Sequence, residues 1–162
     1  MTHKYVAHPA YMALLAISLI WCSVILAFPL LMHFGQVNLA SGIYLVFAKI
    51  CHQNPARSFW LSGVPLPVCA RCTSVYLSFL GAVSVRPLLK RTAAKDNQLN
   101  WLLMAALLLM TMDAALDLAG VWSNSPATRT LTGGMLGFVG GWIAGSVTTR
   151  INSSQYQTMT HG

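Results

Sequence analysis

Three of the chain's four cysteines and one of its five histidines stand in a single run, CHQNPARSFWLSGVPLPVCARC, from Cys51 to Cys72. Cys69-Ala-Arg-Cys72 has the C-x-x-C spacing that lets two sulfurs grip one metal ion or close a disulfide. Cys51 and His52 would complete a Cys3His set around zinc or iron, with His33 as a reserve nitrogen donor. Arg71 lies between the paired cysteines, and a helix beginning there would point its positive end at them. Both effects favour thiolate over thiol. The same spacing also fits a redox-active pair. A third alternative is an inert disulfide, between Cys69 and Cys72 or between Cys51 and one of them, in an oxidising compartment.

A second group with chemical potential is Asp113 and Asp117, two of only three acidic residues. Four apart, they share one face of a helix. An ionisable group within a membrane helix costs about 2.5–3.5 kcal/mol on insertion scales. Both aspartates therefore need partners, and Arg71, Arg129, Arg57 or a cation would serve. With Arg71 and Arg129 they are the catalytic candidates, as a proton relay, metal ligands or substrate contacts. The structural alternative is an ion pair near the headgroups. Arg57 and Gln53 are candidate contacts to an anionic substrate. Arg57 and Arg129 read equally well as lipid-phosphate contacts, and Gln53 and Ser58 as outer supports.

The elements that must carry these residues are membrane helices. The 162 residues are 56% hydrophobic and 8% charged, with mean hydropathy +0.60; soluble domains average about 25% charged. The length allows one domain. A formal charge of +7 rests on ten scattered basic residues, which do not make the basic face of a nucleic-acid binder. In lipid, such residues set orientation and touch headgroups.

Hydropathy predicts an all-α integral membrane fold with four transmembrane helices, over about 11–33, 67–85, 99–119 and 131–147. The first has too long an apolar core, and no small-residue cleavage site, for a cleaved signal peptide. Residues 39–50 are too few to span and read as a short interfacial helix. Gly63, Pro65 and Pro67 break regular structure, so a compact turn or hairpin is expected over 57–67, with Pro67 opening the second helix.

With both termini inside, the inner segments hold Lys4, Arg86, Lys90, Arg91, Lys95 and Arg150, and the outer ones Lys49, Arg57, Arg71 and Arg129. That topology, N-in and C-in, brings the Cys/His loop, the outer half of the third helix and the start of the fourth to one outer surface. Trp60, Tyr76 and Trp122 fit an interfacial aromatic belt. Cys22 reads as filling. Gly133, Gly134, Gly137, Gly140, Gly141 and Gly145 suit close helix packing in lipid and make a second copy of the chain a candidate partner.

The run CHQNPARSFWLSGVPLPVCARCTSVY resembles the signature of a family of small prokaryotic membrane proteins, domain of unknown function 2085. Its pattern falls here on Cys51, His52, Gln53, Arg57, Ser58, Phe59, Gly63, Cys69, Arg71 and Cys72. An aspartate of the third helix follows, then Arg129, Thr132 and Gly133. Ser74 stands where the family more usually has glycine. The resemblance implies a multi-pass protein of a prokaryotic inner (cytoplasmic) membrane and supplies no activity. A looser likeness is to quinone-coupled disulfide-forming membrane proteins, which are also four-helix with C-x-x-C at the outer end of the second helix. Residues 121–130 lack the second cysteine pair of those proteins.

Three readings follow. The first is a metal-binding membrane protein, with zinc or iron on Cys51, His52, Cys69 and Cys72. The second is a thiol–disulfide oxidoreductase that passes electrons from Cys69 and Cys72 to a quinone. The third is an ion or small-solute transporter built on the aspartates.

Overall fold

The computed structural model describes residues 9–88, 96–121 and 124–160, with side chains to residue 148. The uncharged run at the start folds as helix α1 (Pro9–His33). It ends at Gly35, whose φ of +72° lets the chain reverse. The Gln36 N–H donates to the Leu31 carbonyl at 2.9 Å and the Gly35 N–H to that of Met32 at 3.2 Å, the paired bonds that close a helix on a left-handed glycine. Helix α2 (Val37–Ala48) follows, close to the short element expected over 39–50.

The break expected over 57–67 is a β-hairpin. A 3-10 turn over Pro55–Arg57 is capped by the Asn54 side chain. It leads into β1 (Ser58–Leu61) and β2 (Val64–Cys69), paired antiparallel with Leu61 opposite Val64 and Ser58 opposite Cys69. Ser62 (φ 52°) and Gly63 (φ 78°) make the connection. Two left-handed residues in a two-residue loop suit the twist of a hairpin.

The architecture is thus mostly helical with a two-stranded sheet, a correction to the all-α expectation. The next helix starts three residues later than expected. Pro65 and Pro67 hold the residues before them extended, so the strand runs through Pro67, and Cys69 becomes the N-cap of α3 (Ala70–Val85).

Helix α4 covers Asp96–Leu118 and closes on Gly120 as α1 does on Gly35. Helix α5 runs Pro126–Thr160, longer than the expected 131–147. Ser125 Oγ accepts the Thr128 N–H at 3.2 Å, and Pro126 takes the first helical position, where its missing N–H costs nothing. Arg129 and Thr132 therefore sit on the first turns of a helix rather than in and beside a link. Lys4, Lys90, Arg91, Lys95 and Trp122 lie outside the described residues, and the Arg150 side chain does too.

Helix α3 is the hub. Tyr11 at the start of α1 donates its hydroxyl to the carbonyl of Val83 near the end of α3, at 2.7 Å. Arg86, just past α3, donates to Ser146 Oγ at 3.0 Å and lies 4.7 Å from the centre of the Trp142 ring. Helix α1 therefore runs antiparallel to α3, and α5 runs parallel to it. The start of α3, the start of α5 and the end of α1 gather at the opposite end.

Gly133, Gly137 and Gly141 of α5 meet the backbone of Arg71, Val75 and Phe79. The face that carries these three glycines is thus occupied by α3 of the same chain, while a Cβ at Gly134 would meet nothing within 4 Å. A core of Ile25, Phe47, Leu66 and Val68 joins α1, α2 and β2, with Cys51, Cys72 and Tyr76 packed against it.

Among the described residues, two helices are long and apolar enough to cross a membrane, α1 and residues Asn97–Leu118 of α4. Only 6% of the apolar window of α4 is buried within the chain, so Trp101, Leu102, Leu108 and Met112 are exposed. Apolar surface of this extent belongs against lipid.

Candidate metal centre and adjoining ion-pair cluster

Among the described residues, the metal-ligand side chains that converge are Cys51, Cys69 and Cys72, with all three sulfurs within 4.8 Å of one another. Each arrives from a different local device. The Cys51 N–H is tied to the Phe47 carbonyl at 3.0 Å, in the turn that ends α2. Cys69 closes β2 and caps α3, and Cys72 sits in the first turn of α3.

The loop between Cys51 and the hairpin is locked by Gln53. Its backbone takes φ 50°, and its buried side chain donates from Nε2 to the Tyr44 carbonyl at 2.7 Å and the Pro67 carbonyl at 2.9 Å. Gln53 was expected to contact substrate. Here its amide joins the end of α2 to β2 and fixes where Cys51 points.

Hydrogen bonds converge on the Cys51 sulfur. The side chains of Cys69 and then Cys72 are the main donors, joined by the backbone N–H groups of Cys69 and Gln53, and together they hold the Cys51 thiol well below its ordinary pKa against the opposing effect of burial. The Cys69 N–H lies 3.2 Å from that sulfur. A Cys51 sulfur biased toward thiolate beside the sulfurs of Cys69 and Cys72 suits a soft or borderline cation, since the thiolate is the ligand. All four cysteines are free thiols. His52 is exposed and stands outside the three-sulfur group. His33 is exposed as well, edge-on to Phe34.

Arg71 lies one residue, roughly 100° of helix rotation, from Cys72. It reaches away from the sulfurs to α4 and pairs with Asp113 Oδ2. Thr132 Oγ1 lies 3.4 Å from the same carboxylate oxygen, and Asn124 donates to the Asp113 backbone carbonyl at 2.6 Å. One turn on, Asp117 accepts from Arg129 at 3.1 Å and from Arg57 at 3.1 Å. The two aspartates, four apart as the sequence required, therefore bind α4 to α3, α5 and the 3-10 turn. Every arginine named as their partner is used. Asn124 is the participant that sequence reasoning missed, and nothing in its type or spacing distinguishes it from other loop asparagines. Tyr76, treated as belt, instead packs one turn below Cys72 against the same core.

Comparison with known proteins adds a family and no activity. The profile of the family described as "Predicted membrane protein (DUF2085)" matches residues 51–143. An uncharacterised protein of Methanocaldococcus jannaschii is 34% identical over 96 residues, 59% of this chain and 62% of that protein. An uncharacterised protein of Methanothermobacter thermautotrophicus is 52% identical over 31 residues, 19% of this chain and 28% of that one. The chain thus spans less than two thirds of the length of the relatives it matches. No solved structure matches. The matched region opens on Cys51 and covers the thiol cluster, the ion-pair cluster and the α3–α5 crossing. The chain belongs to this family of predicted membrane proteins.

Proposed function

We propose that this family member is a multi-pass protein of a prokaryotic inner membrane that holds one zinc or iron ion at its outer surface on Cys51, Cys69 and Cys72. The observation that carries the reading is the convergence of three free sulfurs from three separate elements, with backbone N–H groups aimed at one of them. Three protein ligands leave a position for water or a small ligand, as at sites where a metal acts as Lewis acid rather than staple. His52 is not required as a ligand. Asp113 and Asp117, each held by arginine, would position Arg71, which shares the first turn of α3 with the sulfurs, rather than carry protons.

The proposal takes four crossings with both termini inside. The contacts of Tyr11 with Val83 and of Arg86 with Ser146 lie at the C-terminal end of α3, and both clusters lie at its other end. Helix α3 is only 16 residues long, about 24 Å at 1.5 Å per residue. A span this short is accommodated by local thinning of the bilayer. The test is cobalt(II) titration of anaerobically purified, metal-free protein. A thiolate-to-cobalt absorption band saturating at one ion per chain is expected, and its absence from folded protein would sink the reading.

A second reading rests on a different observation. A crevice of about 280 Å³ between α1 and α3 is lined by Ile17, Ser18, Trp21, Cys22, Val75, Tyr76 and Phe79, and Tyr76 also packs against the core that carries Cys51 and Cys72. A quinone ring entering from the bilayer would reach the vicinity of the thiols there. Two thiols would become one disulfide, and two electrons and two protons would pass to the quinone to give quinol. Quinone-dependent loss of two free thiols supports it; thiols indifferent to quinone exclude it. A transport role for the aspartates has less support, because both carboxylates are engaged by arginines.

A further inference from the structure

Charge in the ion-pair cluster does not balance. Arg57, Arg71 and Arg129 bring three positive charges to the two negative charges of Asp113 and Asp117. Arg129 is 7% exposed, and the side chain of Arg71 is 13% exposed. The Nε atoms of both are buried and have no hydrogen-bond partner among the described residues. A buried donor left unpaired carries its full desolvation cost, and a buried charge without a counter-charge carries more.

The helix ends do not remove the surplus. Arg129 stands on the first turns of α5, whose N-terminal pole is positive, and Asp117 at the last turn of α4, whose C-terminal pole is negative. The two poles offset one another. One guanidinium charge remains. The cluster opens to the surface at Arg57, whose side chain is 41% exposed and which keeps donors beyond the Nη1 atom it spends on Asp117.

We propose that Arg57, Arg71 and Arg129 form a binding site for one monoanionic phosphate group, which neutralises the cluster and accepts the idle guanidinium donors. Planar guanidinium forks match phosphate oxygens in geometry as well as charge. The phosphate belongs either to a phospholipid headgroup or to free inorganic phosphate. This site is separate from the thiol cluster and stands whether or not a metal binds there.

The experiment uses the full chain in non-ionic detergent. Inorganic phosphate is titrated by calorimetry at constant ionic strength, and retained or added phosphatidylglycerol is counted by native mass spectrometry. Arg57→Gln is the main variant because Arg57 is exposed enough to be lost without unfolding the chain. Lys49→Gln, also exposed, is the control. Saturable phosphate binding at one per chain, weakened about tenfold by Arg57→Gln, identifies free phosphate. Retention of one phosphatidylglycerol per chain, lost in Arg57→Gln and kept in Lys49→Gln, identifies a lipid. Neither binding, or binding that the two variants affect alike, overturns the proposal and leaves the arginines a structural role only. Arg129→Lys keeps the charge without the fork and is expected to weaken binding in either case.

Discussion

The α3–α5 crossing holds Arg71 and Cys72 in place, and its closeness can be tested one methyl group at a time. Gly133, Gly137 and Gly141 recur every four residues on α5, facing Arg71, Val75 and Phe79 at the same interval on α3. A Cβ added at Gly137 would overlap the carbonyl oxygen of Val75 and Oγ of Ser78, with the Val75 carbonyl carbon at 2.8 Å. Two of those three atoms are backbone and cannot rotate away. At neighbouring Gly134 a Cβ would meet nothing within 4 Å. Alanine favours a helix over glycine by about 0.8–1.0 kcal/mol, a gain that Gly134→Ala and Gly137→Ala share. Their difference therefore isolates the crossing. Forcing a methyl into filled space costs about 1–3 kcal/mol, which is roughly fivefold to more than a hundredfold in the unfolding equilibrium. Unfolding by increasing SDS fraction in mixed micelles, followed by tryptophan fluorescence, measures it. Gly134→Ala is expected to match or exceed the parent, and Gly137→Ala to fall well below it. Equal stability of the two variants would refute the close crossing and the placement of Arg71 that follows from it.

Other perturbations bear on the two clusters. Asp113→Asn leaves Arg71 half of a broken buried pair and is expected to cost about 3 kcal/mol, most of it recovered when Arg71→Met is added; a double variant no better than the single would refute the pairing. Cys51, held below its ordinary pKa by donors from Cys69 and Cys72, keeps its thiolate as pH falls. Its contribution to stability is complete above the ordinary thiol value and disappears as pH drops through the lowered one. In metal-free protein its alkylation by iodoacetamide should change little between about pH 8 and 6, whereas an ordinary thiol slows about tenfold per pH unit. An ordinary tenfold decline, mapped to Cys51 by mass spectrometry, would contradict the hydrogen-bonded cluster. Gln53→Ala removes two donated bonds, worth about 1 kcal/mol each. It should also weaken cobalt binding by loosening the loop that aims Cys51; unchanged cobalt affinity would assign Gln53 to stability alone.

Much of this was legible in the residues themselves. The uncharged run of α1, the C-x-x-C spacing and the two aspartates on one face each follow from a periodicity or a charge count, and each meets its counterpart in the structure. Arg71, Arg129 and Arg57 were the expected partners of the aspartates because so few charges exist to choose from. The start of α5 was missed although Ser125-Pro126 is a helix-opening pair, because the polar residues around it outweighed the cap. The start of α3 was set at Pro67 by the preference of proline for a first helical turn. The alternating Pro65 and Pro67 instead keep the chain extended, and the strand pairing with β1 settles the matter. His52 was grouped with Cys51 by adjacency, but Cys51 sits in the turn that ends α2 and His52 is exposed outside the sulfur group. The roles of Gln53 and Asn124 depend on contacts with distant backbone carbonyls, which no local pattern encodes.

The central claim is a metal held by three sulfurs, and elemental analysis tests it most directly. Protein purified without oxygen or added metal should carry about one zinc or iron per chain. Cys69→Ser should lose it, and His52→Ala, exposed and outside the sulfur group, should retain it. A parent protein without stoichiometric metal, with two of Cys51, Cys69 and Cys72 locked in a reducible disulfide, would contradict the claim and turn the same three residues to electron transfer.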